Sequence, residues 1–225
     1  MVDTEVASWN GRLHLAELLA VRLCHDLSGP LGTLMGALEL LSEDPETAAE
    51  AVPLAGDMSA MLGKRLRLLR AAWGKSAPEL DVASLHGLLE GLPAIHRLRF
   101  DFSGLDAAVS FAPAGSRVVL NVLLLAAECL PGGGVVALAG NARREVIATI
   151  SGARAAWPTG LAAVLADPDR AWDMLSRTEG LDASRLMQGP LTALVAQAAG
   201  CRLAMLMAPG AEAAPPLLLS LEATG

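Results

Sequence analysis

The chain has 225 residues, 53% of them hydrophobic and 18% charged, and a formal net charge of −7. That length allows one large domain or two small ones, and the apolar share is ample for a core. The acidic balance argues against nucleic-acid binding, which needs clustered Lys and Arg to neutralise phosphates. The N-terminus lacks a basic-then-apolar signal peptide, and charges interrupt every apolar run before the roughly 20 residues of a membrane span. Cys24, Cys129 and Cys201 are odd in number and far apart, which fits neither a disulfide framework nor a zinc cluster. The expectation is a soluble cytoplasmic protein without nucleic-acid or membrane partners.

The apolar positions Leu13, Ala16, Ala20, Leu23, Leu27, Leu31, Leu34, Leu38 and Leu41 step mostly by threes and fours, the seam of an α-helix. Ser8 or Asn10 is a candidate cap, and the helix should end near Glu43, before a turn at Asp44-Pro45. Such a rod, ~30 residues and roughly 45 Å long, outreaches a short neighbour. A second helix carries Val52, Ala55, Met58, Leu62, Leu66, Leu69 and Trp73 on one face and stops at Gly74 and Pro78. Pro53 lies in its first turn or bends it. Two antiparallel helices bury only one side of each other. A second copy of the hairpin would complete a four-helix bundle in a homodimer; cover from the C-terminal half of the same chain is the alternative.

A linker near residues 75–79 divides the chain into 1–76 and 77–225. Beyond it, residues 98–102 alternate as a strand, and Asp101-Phe102-Ser103-Gly104 leads into a turn. Residues 116–130 read as a buried helix closed by Pro131-Gly132-Gly133-Gly134. Residues 135–139 and 145–150 are short strands around Gly140-Asn141. A helix over 183–199 is capped by Asp182 and ended by Gly200, and strands at 202–207 and 217–221 flank a loop at 209–216. This order predicts an α/β sandwich with helices on one face of a mixed sheet, and with the hairpin an α+β chain.

The chemistry concentrates at His25-Asp26-Leu27, with Pro30 close behind. Phosphoryl relay needs an imidazole that is exposed, held in one tautomer and sterically clear. An ordinary imidazole, with a pKa near ~6.5, is largely neutral at cytosolic pH and so available as a nucleophile. Val21, Arg22, Ser28 and Gly29 share the helix face of His25, and Gly32 and Gly36 continue it. Glycines inside a helix cost roughly 1 kcal/mol each relative to Ala, so a stripe of them calls for a reason, and close approach of a partner supplies one. Leu23, Leu27 and Leu31 point elsewhere, leaving His25 outside the core. Asp26 is the acidic partner, accepting a proton or orienting the ring, although neighbours at i and i+1 diverge on a helix. Arg22 and Ser28 are candidate docking contacts. Arg67 belongs to a basic cluster with Lys64, Arg65 and Arg70 that either attracts an acidic partner or is a solvated face. His14, His86 and His96 lack such a context and read as surface or satisfied histidines. Metal binding at Cys24 and His25 is not expected, since adjacent residues diverge and no second ligand pair stands nearby.

Segment 18–32, around Cys24-His25-Asp26-Leu27-Ser28-Gly29-Pro30, closely resembles the phosphoacceptor region of the ChpT family of bacterial histidine phosphotransferases. The resemblance continues through Gly36-Ala37-Leu38-Glu39-Leu40-Leu41 and residues 65–74. It returns more loosely in Leu120-Asn121-Val122-Leu123-Leu124-Leu125-Ala126-Ala127 and Leu130-Pro131-Gly132-Gly133-Gly134. It implies hairpins paired in a dimeric four-helix bundle and a C-terminal domain resembling a histidine-kinase ATPase that no longer binds nucleotide. It also implies a shuttle that takes phosphate from the receiver domain of a hybrid histidine kinase and gives it to response regulators. Residue by residue, the second half fits lost ATP chemistry. A kinase asparagine box runs Asn-x-x-x-Asn-Ala; here Asn121 is followed by Leu125 and Ala126, and no Asp occurs over 145–160 to read an adenine amine. Pro131-Gly132-Gly133-Gly134 lacks the Gly-Lys-Ser/Thr of a phosphate loop and reads as a helix stop. No cofactor of its own is therefore expected, and Mg²⁺ would come from the receiver. The rivals are an ATP-dependent histidine kinase, which must bind nucleotide, and a non-catalytic dimeric scaffold in which His25 is incidental.

Overall fold

The apolar seams fold the first third of the chain into two long helices packed along each other, α1 (Val2–Leu40) and α2 (Pro45–Trp73). The computed structural model describes residues 2–41, 45–75, 77–93, 95–106, 108–177, 186–208, 210 and 213–222; for 2–10, 45 and 46 the backbone alone is described. Ser8 and Asn10 lie inside α1, which starts well before its apolar seam, so neither caps it. Pro45 opens α2, where a missing N–H costs nothing. Pro53 therefore falls in the helix interior rather than the first turn, on an exposed face. Glu43, Asp44, Ser76, Asp182, Ala183 and Pro209 lie outside the described residues.

Among the described residues, β1 (Leu98–Leu105), β2 (Gly134–Gly140), β3 (Glu145–Ser151), β4 (Arg202–Met205) and β5 (Leu217–Ser220) form one sheet in the order β1-β2-β3-β5-β4. β1 and β2 run parallel and the other pairs antiparallel, so the sheet is mixed, as the sequence predicts. Its alternation turns one face inward. Val136, Leu138, Val146, Ala148 and Ile150 are buried, whereas Ile147 is exposed on the other face.

α4 (Pro113–Glu128) crosses from β1 to β2 and is apolar on nearly every side because it is covered on nearly every side. α2, β2 and α7 (Gln188–Ala198) all pack on it. The base of the hairpin belongs to the same core. Leu18 of α1 and Leu68, Ala71 and Ala72 of α2 are buried in one cluster with Val118, Leu120, Leu123 and Leu125.

The predicted turn at Asp101-Phe102-Ser103-Gly104 is instead a bulge inside β1. Asp101 Oδ1 accepts from Ser103 N at 3.1 Å and from Ser103 Oγ at 2.6 Å, and the register with β2 slips between Asp101 and Gly104. This local Asx closure absorbs the extra residue while the strand goes on. Pro131-Gly132-Gly133-Gly134 is a tight turn: Gly133 has φ +86°, and a Cβ there would stand 2.6 Å from the Arg97 carbonyl. Three short helices have no counterpart in the sequence reading: α3 (Val82–Leu89), α5 (Leu161–Ala166) and α6 (Pro168–Ser176). Asp81 caps α3 by accepting from Ser84 N at 2.7 Å, and Asp167 caps α6. No helix among the described residues is long and apolar enough to cross a membrane.

Candidate functional site

His25 sits on α1 where cover from the sandwich gives way to open surface. One and two turns before it on the same face, Arg22 and Leu18 are buried. One and two turns after it, Gly29 and Gly32 face open space, with no atom within 4 Å of where a Cβ would stand; Gly36 is equally clear. The His25 side chain is 58% exposed. Pro30 lacks the N–H that would bond the Asp26 carbonyl, so the helix ladder is interrupted beneath the site. Ser28 Oγ donates to the Cys24 carbonyl at 2.6 Å and Thr33 Oγ1 to the Gly29 carbonyl at 3.2 Å, holding both hydroxyls against the helix.

Asp26 is the hub of this region. Its Oδ1 lies 3.4 Å from His25 Nδ1, a long hydrogen bond between side chains that adjacent helical positions would normally separate. Its Oδ2 accepts from Arg22 Nε at 3.0 Å and from Arg65 Nη2. Arg65 also donates through Nη1 to the Gly91 carbonyl at 3.3 Å, and Arg22 through Nη2 to Glu128 Oε1 at 2.6 Å. The Asp26 and Arg65 side chains are only 8% and 5% exposed. Burial works against the Asp26 charge, but Arg65 and then Arg22 outweigh it and hold the carboxyl below the ordinary carboxylate range. Burial also opposes the charge on Arg22, and Glu128 and Asp26 override it. Glu128 goes the other way, pushed up by burial that Arg22 only partly offsets. Asp26 is thus a fixed anion, poorly suited to take a proton and well suited to orient a ring or balance a positive charge on it.

Arg22 is expected on the docking face; its burial between Asp26 and Glu128 instead makes it part of the platform beneath His25. The basic cluster on α2 divides in the same way. Arg65 is buried under Asp26, Lys64 Nζ pairs with Glu90 Oε2 at 2.8 Å, and Arg67 and Arg70 are exposed. The Arg22–Asp26 pair has the i,i+4 spacing of a helix ion pair and is legible in the sequence. Gly91 and Glu128 come from remote positions, and no local signal marks them.

The other histidines are engaged elsewhere. His14 Nε2 lies 3.0 Å from the Leu175 carbonyl, His86 packs on Phe102 with ring centroids 4.6 Å apart, and His96 lies 3.3 Å from Arg97 Nε. Cys24 is exposed and Cys129 and Cys201 are buried, all three as free thiols; burial, then Glu128, pushes the Cys129 thiol up to about 12. Among the described residues no group of three or more His, Cys, Asp or Glu is placed to hold a metal ion.

Asn121 is wholly buried. Its Nδ2 donates to the carbonyls of Ala72 and Arg117, both at 2.9 Å, and its Oδ1 accepts from Gln188 Nε2 at 3.1 Å. The amide therefore ties α2, α4 and α7 together. Leu125 lines an adjoining cavity of about 200 Å³ whose walls include Leu161, Val164, Met174 and Pro190.

A family model described as "Histidine phosphotransferase C-terminal domain" matches residues 82–210, more than half of the chain. Protein phosphotransferase ChpT of Brucella abortus (strain 2308) is 27% identical over 129 residues, 56% of this chain. The chain spans about 60% of the length of that curated relative. A solved structure described as a bacterial phosphotransferase superposes with a TM-score of 0.63 at 22% identity, covering 92% of this chain and 95% of that one, a likeness of fold.

Proposed function

The chain belongs to the histidine phosphotransferase family, and from that premise we propose that it is a phosphoryl carrier of a cytoplasmic phosphorelay. His25 takes the phosphoryl group from the receiver domain of a hybrid histidine kinase and gives it to response regulators, the chain acting as a homodimer. The observation that carries this reading is an exposed imidazole above a buried, arginine-held carboxylate, beside a face cleared by Gly29 and Gly32.

With its proton on Nδ1, facing Asp26, the neutral ring offers the lone pair of Nε2 on its outer side. Nε2 attacks the phosphorus of the receiver's aspartyl phosphate. The N–P bond forms as the acyl O–P bond breaks, and the receiver's carboxylate leaves. No proton has to be removed from Nε2. The ring becomes cationic and keeps its Nδ1–H, and the Asp26 carboxylate 3.4 Å away balances that charge. Transfer to the next receiver is the same step reversed. Positioning and electrostatics dominate such transfers, and the receiver would supply Mg²⁺. Ser28, Gly29, Gly32, Gly36 and Arg67 make the surface on which it docks.

Three features support a phosphate source other than ATP. Asn121 is engaged by Ala72, Arg117 and Gln188, Leu125 stands where a kinase has its second Asn, and residues 145–160 contain no Asp. This is the pattern of a histidine-kinase ATPase domain that has lost its nucleotide contacts. Leu13, Leu31 and Leu38 on α1, with Leu54 and Met61 on α2, remain exposed. Full burial of each is worth roughly 1.5–3 kcal/mol, which favours a second hairpin covering them in a four-helix bundle. The test is incubation with receiver domains carrying radiolabelled phosphate. Acid-labile label should appear on the wild-type chain and not on His25→Ala. Equal labelling of the two would overturn the assignment, as would a wild-type chain that no receiver labels.

A further inference from the structure

Resting on the reading of His25 as the phosphoryl carrier, we infer that Arg65 and Glu128 are positioning residues for its ring, acting through Asp26 and Arg22. An exposed histidine on a helix has a broad, roughly two-fold second side-chain torsion. Either ring nitrogen can then face outward. One contact here breaks that symmetry, from Nδ1 to Asp26 Oδ1 at 3.4 Å. It selects an orientation only if Asp26 is itself immobile.

Arg65 and Arg22 supply that immobility. Both donate to Oδ2 of Asp26, leaving Oδ1 as the oxygen turned to the ring. Arg65 spans Asp26 and the Gly91 carbonyl with its two terminal nitrogens, a reach that the planar guanidinium provides and a lysine ammonium does not. Arg22 is anchored at its far end by Glu128, at 2.6 Å. Gly91 follows α3 and Glu128 ends α4, so both outer anchors come from the sandwich, whereas the ring they steady stands on the hairpin. The sandwich thereby completes the phosphoacceptor site without touching the reacting atoms. A cavity of about 180 Å³ lined by Arg22, Arg65, Glu128, Leu92, Pro93 and Pro131 adjoins the network, so a shortened side chain there meets existing space.

The experiment uses the full chain with ¹⁵N-labelled histidine rings and the variants Arg65→Gln, Arg65→Lys and Glu128→Gln, with His25→Ala assigning the signals. Ring nitrogen shifts should report mainly the Nδ1–H tautomer of His25 in the wild type. In Arg65→Gln they should move toward a mixture of tautomers, and in Glu128→Gln the same way but less. Arg65→Lys keeps the charge without the fork and should fall between Arg65→Gln and the wild type. The saturating single-turnover rate from a phosphorylated receiver domain should drop roughly ten- to hundredfold in Arg65→Gln, as small misplacements of a reacting group do. The receiver concentration giving half that rate should stay constant. If Arg65→Gln does not fold, Glu128→Gln decides, since its change lies at the rim of the platform. Unchanged tautomers with saturating rates within twofold of wild type would overturn the positioning role. The ring signals need no partner. Variants that shift them in a chain no receiver labels would leave the positioning role standing and sink the phosphotransfer reading instead.

Discussion

His25 and Asn121 are both polar residues set in helices, α1 and α4, and the fold treats them in opposite ways. His25 stands on a helix flank with 58% of its side chain in solvent, and the face beyond it is kept clear by glycine. Asn121 has no exposed surface, and its amide ties α2 of the hairpin to α4 and α7 of the sandwich. The surroundings differ to match. The helix around Asn121 is a continuous run of buried Val and Leu, whereas the helix around His25 leaves Val21, Leu31 and Met35 exposed. A polar residue whose amide is hydrogen-bonded on both sides inside the core stabilises structure. One held at the surface by a buried counter-charge is available for chemistry.

That contrast is most sharply broken by exchanging stability for activity at the two positions. His25→Ala should abolish labelling yet move folding free energy by no more than about 0.5 kcal/mol, the scale of a surface change. Asn121→Ala should do the reverse. It leaves the Ala72 carbonyl without its donor inside the core, at a cost of ~1–3 kcal/mol, while label still reaches His25. Urea denaturation and labelling of the two variants side by side read both quantities. A destabilised His25→Ala or a label-free but folded Asn121→Ala would erase the distinction.

The exposed side of the hairpin gives the next test. Leu31→Glu with Leu38→Glu places two charges on the uncovered line of α1. It should halve the mass seen by light scattering while leaving the sandwich folded, and an unchanged mass would refute a dimer built on this face. A smaller effect is expected at Gly32. A Cβ there meets nothing within 4 Å, so Gly32→Leu should raise the thermal midpoint, Leu being up to ~1 kcal/mol better than Gly in a helix interior. The same side chain would stand in the docking face and cut the transfer rate at least about tenfold, a barrier increase of roughly 1.4 kcal/mol. A normal rate would remove this face from docking.

Long-period features were legible in the sequence and short-range closures were not. The two seams gave the hairpin, and the short β-type runs fell on the strands, with β1 running on to Leu105 past its expected end at Phe102. Helices α3, α5 and α6, each shorter than three turns, offer too few positions for a period to stand out. Asp101-Phe102-Ser103-Gly104 has turn composition, yet pairing with β2 on both sides carries the strand through it. At the site, His25, Asp26 and the glycine stripe could be read because they share one helix. Arg65 is legible only as one of a basic cluster, docking or solvated, because its partner is 39 positions away in sequence, and Glu128 is farther still from Arg22.

The two carboxylates of the network should separate as pH falls, the smallest of the expected effects. Asp26 has its folded pKa depressed, against burial, by Arg65 and Arg22. Its contribution is whole above the ordinary Asp value of about 3.9 and is lost as pH falls through the lower folded value. Glu128 has its folded pKa raised, chiefly by burial, with Arg22 opposing and Asp26 adding to the rise. Its contribution is whole below the ordinary Glu value of about 4.3 and is lost as pH rises through the folded value. In stability curves from urea denaturation over a pH series, the gap between wild type and Glu128→Gln should therefore change on the mildly acidic side. The gap between wild type and Asp26→Asn should already be full at neutral pH and close only in strong acid. Because Asp26 remains ionised throughout the range in which Glu128 titrates, the anion beneath His25 should persist through mild acidification even as its outer anchor weakens. Compared in the Glu128→Gln background, a stability loss from Asp26→Asn that already shrinks above the ordinary carboxylate range would show that the two arginines do not hold Asp26 as the geometry requires.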